Sequence, residues 1–93
     1  MPKYCSEKVC GCYLYFTSHC TMEAMHAHAS DRKLKEKGSA KFFVKSDGSS
    51  VLARKGSLKP KQILGIQDYI RLNYLRMYVQ WRTASVNGFY VGP

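Results

Sequence analysis

The run Ile63-Leu64-Gly65-Ile66-Gln67-Asp68-Tyr69-Ile70-Arg71-Leu72-Asn73-Tyr74-Leu75-Arg76-Met77-Tyr78-Val79-Gln80-Trp81 decides the fold. Within it, Ile63, Ile66, Ile70, Tyr74, Met77 and Trp81 recur at steps of 3, 4, 4, 3 and 4. At about 100° per residue they share a stripe about 80° wide, the pattern of an amphipathic helix with one face to bury. Pro60 suits the first turn, where an N–H would lack an intrahelical partner. Ser57 and Lys59 are the candidate caps, and Gly88 after Asn87 supplies a stop. A helix is therefore expected over residues 60–85. Arg71, Leu75, Tyr78 and Arg82 follow one flank of its core stripe.

Such a helix needs a second layer, and the residues before it read as strands. Lys41-Phe42-Phe43-Val44-Lys45-Ser46 and Ser49-Ser50-Val51-Leu52-Ala53-Arg54 flank Asp47-Gly48, a pair suited to positive φ at both centres of a type I′ turn. A two-residue turn sets Val44 opposite Val51 and Phe42 opposite Ala53, with Lys41, Phe43 and Lys45 on the reverse face. Cys12-Tyr13-Leu14-Tyr15-Phe16-Thr17 is aromatic and β-prone, a first strand that can begin as early as Val9, with Gly11 permitting a bulge. His26-Ala27-His28-Ala29 alternates, so an extended backbone turns both imidazoles to one face. The expected architecture is α+β: a small antiparallel sheet of three or four strands packed against one long C-terminal amphipathic helix.

At 93 residues the chain suits one small core, and any site on it must be shallow. The whole of 1–93 is read as a single basic domain, with 1–11 as a flexible lead-in, 32–39 as a charged loop, and Phe89-Tyr90-Val91-Gly92-Pro93 folding back on the domain. No stretch approaches the roughly 20 apolar residues of a membrane span, so no membrane partner is expected. The start Met1-Pro2-Lys3-Tyr4-Cys5-Ser6-Glu7-Lys8 lacks the apolar centre of a secretory signal, which points to the cytoplasm and to reduced thiols at Cys5, Cys10, Cys12 and Cys20.

The net charge of +9 is local. Residues 1–31 hold Lys3 and Lys8 against Glu7, Glu23 and Asp31, net −1. Residues 32–61 hold Arg32, Lys33, Lys35, Lys37, Lys41, Lys45, Arg54, Lys55, Lys59 and Lys61 against Glu36 and Asp47, net +8. Arg71, Arg76 and Arg82 against Asp68 give the remainder, net +2.

The order of these features resembles a known family. Tyr15-Phe16-Thr17-Ser18-His19 is followed by Glu23-Ala24-Met25-His26-Ala27-His28-Ala29, by Lys41-Phe42-Phe43-Val44 with Asp47-Gly48-Ser49, and by Ile66-Gln67-Asp68-Tyr69-Ile70 leading to Asn73-Tyr74 and Met77-Tyr78-Val79-Gln80-Trp81. The series is similar to the bacterial domain-of-unknown-function 4160 family over about residues 12 to 90, most specifically in the His-x-His pair after an aromatic strand. The family usually carries proline before that pair, where this chain has Ala24. The resemblance implies a small α+β protein without established chemistry, associated with toxin-antitoxin arrangements.

Three functional readings follow. In the first, a binding module engages nucleic acid, RNA ahead of DNA, or a ribonucleoprotein. Its contacts are Arg32, Lys33, Lys35, Lys37, Lys41, Lys45, Arg54, Lys55, Arg71 and Arg82, because cations neutralise phosphates and exposed aromatics stack on unpaired bases. In the second, a toxin-like, metal-independent ribonuclease uses His26 and His28 as general base and acid. In the third, an acidic protein, such as a cognate antitoxin or a nucleic-acid-processing enzyme, takes the same basic surface.

No cofactor is expected. Zinc, if bound, would draw on Cys12, His19, Cys20, His26 and His28, although their spacing matches no regular finger. Nucleophilic cysteine chemistry is discounted because His19 and Cys20 are adjacent and neighbouring side chains diverge.

Overall fold

A computed structural model describes residues 3–31 and 38–93, and the basic residues Arg32, Lys33, Lys35 and Lys37 lie outside those described. Four strands, β1 (Tyr13–Tyr15), β2 (His26–Ser30), β3 (Ala40–Val44) and β4 (Ser50–Arg54), form one antiparallel sheet in the order β1-β2-β3-β4. A 3-10 segment, Ser18–Met22, joins β1 to β2, and the helix α1 (Pro60–Arg82) follows β4. The α+β arrangement is the expected one, with four strands.

Register sorts the side chains. Leu14 pairs with Ala29, Ala27 with Phe42, and Phe42 with Leu52, which lines one face with apolar groups. Ile66, Ile70, Met77 and Trp81 of α1 join Leu14, Ala27, Ala29, Phe42 and Val44 in one buried core, with Ile63 and Tyr74 packed at its margin. Burying each large side chain there contributes about 1.5–3 kcal/mol. Opposite the core, Leu64, Leu72, Leu75 and Val79 of α1 are exposed.

Pro60 occupies the first turn, and the Lys59 N–H donates to Gln62 Oε1 at 2.9 Å. The helix stops at Arg82 rather than 85, because the Ala84 and Ser85 N–H groups both turn back to the Trp81 carbonyl. The tail then folds back. Trp81 Nε1 donates to the Asn87 carbonyl, Met25 N–H to the Gly88 carbonyl and Tyr90 N–H to the Val44 carbonyl, while Phe89 stacks on Tyr78 and Tyr90 on Phe43.

Two turns differ from expectation. In the β3–β4 connection, Lys45 N–H donates to the Ser49 carbonyl and Gly48 N–H to the Lys45 carbonyl, so the loop has three residues with only Gly48 at positive φ (89°). Val44 therefore faces Ser50, and Phe42 faces Leu52 rather than Ala53, which the irregularity at Lys41/Phe42 leaves out of register. Leu52 is the larger apolar group, so this register buries more. A two-residue turn with positive φ at both centres does occur, at Cys10 (52°) and Gly11 (79°), closed by reciprocal bonds between Val9 and Cys12. β1 consequently begins at Tyr13, not near Val9, and Gly11 serves a turn rather than a bulge.

The lead-in is also anchored. Tyr4 is buried, its N–H donates to the Leu14 carbonyl, Arg76 donates to its carbonyl, and Gln80 donates to that of Lys3. Among the described residues no helix is long and apolar enough to cross a membrane.

Candidate functional site

The alternation of β2 sends Ala27 and Ala29 into the core and turns His26 and His28 to the opposite face, beside Tyr15 of β1 and Lys41 and Phe43 of β3. That face is closed over the imidazoles. His26 is 0% exposed, His28 2% and Cys20 0%.

The 3-10 segment supplies Cys20. Thr17 before it is extended (φ −112°, ψ 173°), and its N–H donates to Cys20 Sγ at 3.2 Å, with Thr17 Oγ1 at 3.3 Å from the same sulfur. Cys20 Sγ lies 3.2 Å from His28 Nε2. His28 Nδ1 meets Ser39 Oγ at 2.9 Å, and the Ser39 carbonyl accepts Arg54 Nε at 2.7 Å. His26 Nδ1 donates to the Ala24 carbonyl at 2.8 Å. A carbonyl can only accept, so the Nδ1 of His26 carries the proton and, in the neutral ring, Nε2 carries the lone pair. The two rings meet edge to face with centroids 5.1 Å apart, and Phe43 and Trp81 wall the His26 ring.

One ring nitrogen of each histidine and Cys20 Sγ lie within 4.8 Å of one another. Sequence reasoning missed the central contact. It tested Cys20 against its neighbour His19, whereas the imidazole that reaches the thiol is His28, eight residues on. His19 is exposed, and Cys12 lies elsewhere, lining a cavity of about 100 Å³ with Ser30, Asp31, Ser57, Leu58 and Gln62. Burial, then the Asp31 carboxylate, pushes the Cys12 thiol above its ordinary pKa. Of the five candidate zinc ligands, the fold gathers three.

Tyr4 closes the end of the cluster. Its hydroxyl donates to the His26 carbonyl at 2.8 Å, and burial, followed by the nearby Cys20, holds its pKa well above the ordinary tyrosine value.

The basic residues separate into groups. Lys41 is engaged by Glu23 at 3.0 and 3.1 Å and lies over the Phe43 ring. Arg71 pairs with Asp68 at 2.9 Å, an exposed contact of at most about 1 kcal/mol. Arg82 donates to the Tyr78 hydroxyl and the Ser85 carbonyl.

Chain direction then sorts the cations. β4 ends beside the start of β3, where Lys41 faces Arg54 and Gly56 approaches Ser39 and Ala40. Asp31 and Gly38, Arg54 and Lys55, and Lys59 and Lys61 at the helix start all belong to this end. Lys45 and Arg71 belong to the hairpin-turn end, where Gly48 sits against the Arg71 carbonyl and Tyr74. Lys61 and Arg82 stand about 30 Å apart along the helix at 1.5 Å per residue. Arg82 therefore stands apart from the cations at the helix start, whereas Arg71 adjoins the hairpin turn. Lys45, Lys55, Lys59 and Lys61 have no ion pair among the described residues.

The fold and site define a small antiparallel α+β domain with a buried thiol–imidazole cluster on one sheet face and a cationic end. Comparison with protein-family models, curated proteins and solved structures finds no match.

Proposed function

We propose that the protein is a binding module for nucleic acid, single-stranded RNA first, and that it uses the end of the sheet holding Arg54, Lys55, Lys59 and Lys61. The observation that supports this is topological. The antiparallel meander returns β4 and the start of α1 to the end where the chain leaves β2 at Asp31 and rejoins at Gly38, so both flanks of the most basic stretch adjoin these cations. Like charges gathered in this way repel one another, and a polyanion relieves that repulsion while releasing its own counterions. An acidic protein would use the same cations and would compete with RNA for them.

The ribonuclease reading has less support. A general base must come within hydrogen-bond reach of its substrate, and both imidazoles are buried beneath the 3-10 segment side of the sheet.

The experiment is charge reversal at two places. Lys55→Glu with Lys59→Glu should abolish binding of a single-stranded RNA oligonucleotide, while Arg82→Glu, a helix length away, should leave it within a few-fold of the parent. Equal losses from both variants would refute the assignment to this end.

A further inference from the structure

We propose that Cys20, His26 and His28 form a binding site for a single zinc ion, independent of the nucleic-acid reading. The donor set is the first argument. One thiolate and two imidazoles are the ligand types that zinc prefers, and an oxygen-preferring ion such as magnesium would not select them. All three side chains are buried, beside the rings of Tyr15, Phe43 and Trp81.

Distances agree with that assignment. Tetrahedral zinc, with Zn–S of about 2.3 Å and Zn–N of about 2.05 Å, spaces its ligand atoms about 3.3–3.6 Å apart. The sulfur and the His28 nitrogen already stand at 3.2 Å, and all three donor atoms fall within 4.8 Å of one another. The widest spacing exceeds the tetrahedral one by about 1 Å.

The groups behind the donors have the arrangement found behind metal ligands. A metal-bound histidine characteristically uses one ring nitrogen on the metal and fixes the other on a carbonyl, carboxylate or comparable oxygen. Here His26 Nδ1 is held by the Ala24 carbonyl and His28 Nδ1 by the Ser39 hydroxyl, and Ser39 is itself tied to Arg54. His28 presents Nε2 to Cys20 Sγ, and in the neutral His26 ring the lone pair lies on Nε2. The Thr17 N–H donates to Cys20 Sγ and fixes the position of the sulfur beside His28. A hydrogen-bonded thiol–imidazole pair accounts for Cys20 and His28, but not for a third donor converging on them.

Binding transfers the Cys20 thiol proton to solvent as the Zn–S bond forms, one proton per ion, while the neutral imidazoles release none. The described residues supply three of the four ligands that tetrahedral zinc takes. The ion would pin the 3-10 segment to β2.

The test is a cobalt titration of the reduced, metal-free full-length chain, made without a histidine tag. The expected result is a thiolate-to-cobalt charge-transfer band with tetrahedral visible bands, saturating at one equivalent and bleached by one equivalent of zinc. Cys20→Ser should remove the charge-transfer band, and Ser39→Ala should weaken affinity about 10- to 100-fold as loss of a group behind a ligand does. Cys12→Ser and His19→Ala should change neither. Absence of the band in the folded parent protein, its persistence in Cys20→Ser, or its loss in Cys12→Ser would each overturn the proposal. The parent titration decides even if a ligand variant fails to fold.

Discussion

Replacing Gly48 by alanine tests how the hairpin is seated on the helix. Gly48 has φ +89°, and a Cβ there would lie 2.8 and 2.9 Å from two carbons of the Tyr74 ring and 3.3 Å from the Arg71 carbonyl oxygen. The left-handed backbone costs a side chain about 1–2 kcal/mol, and forcing an atom into a packed contact adds about 1–3 kcal/mol. The expected loss is about 3 kcal/mol, which for a chain of this length lowers Tm by about 12–24 °C. Gly38→Ala is the control, since Gly38 has φ +81° with nothing among the described residues within 4 Å of its Cβ position, and it should show the backbone cost alone. Thermal or urea unfolding of both variants, followed by circular dichroism, measures the difference. Equal losses would mean that the turn does not rest on Tyr74. In the double variant Gly48→Ala, Tyr74→Ala the steric part should disappear, so the two losses should fall short of additive.

Two further outcomes follow from the core and its edge. Ile70 is fully buried between helix and sheet, so Ile70→Ala should cost about 2–5 kcal/mol in urea unfolding, and a loss below about 1 kcal/mol would contradict the packing described. The raised pKa of Tyr4 means that the folded state keeps its hydroxyl proton after the unfolded chain has lost it. Its contribution is complete below the unfolded value of about 10 and declines as pH rises from there toward the folded value. Tyr4→Phe should be less stable near neutral pH by about 1–2 kcal/mol, through loss of the bond to the His26 carbonyl, yet lose less stability above about pH 10. Parallel alkaline profiles for the two proteins would refute this.

The helix was legible because Ile66, Ile70, Met77 and Trp81 repeat at helical spacing and all are buried as that spacing requires. The facing of His26 and His28 was legible for the same kind of reason, strand alternation. The hairpin register was not, since Val51, Leu52 and Ala53 are consecutive apolar residues and glycine serves a two-residue and a three-residue turn alike. Nor was the packing of Tyr4, which has no periodic neighbour to announce it. The Cys20–His28 contact depends on how a 3-10 segment folds over a sheet, and local propensity carries no information about that closure. The basic block was visible as composition. That Arg82 stands apart from it required the direction of the helix.

Salt dependence of RNA binding tests the central claim most directly. If Arg54, Lys55, Lys59 and Lys61 each neutralise one phosphate of a single strand, log K should fall with log salt at a slope of about −2.8, an affinity loss of about fifty-fold for a fourfold rise in salt. Lys55→Ala with Lys59→Ala should reduce the slope to about −1.4. Affinity that is indifferent to salt, or a slope unchanged in the double variant, would contradict the account.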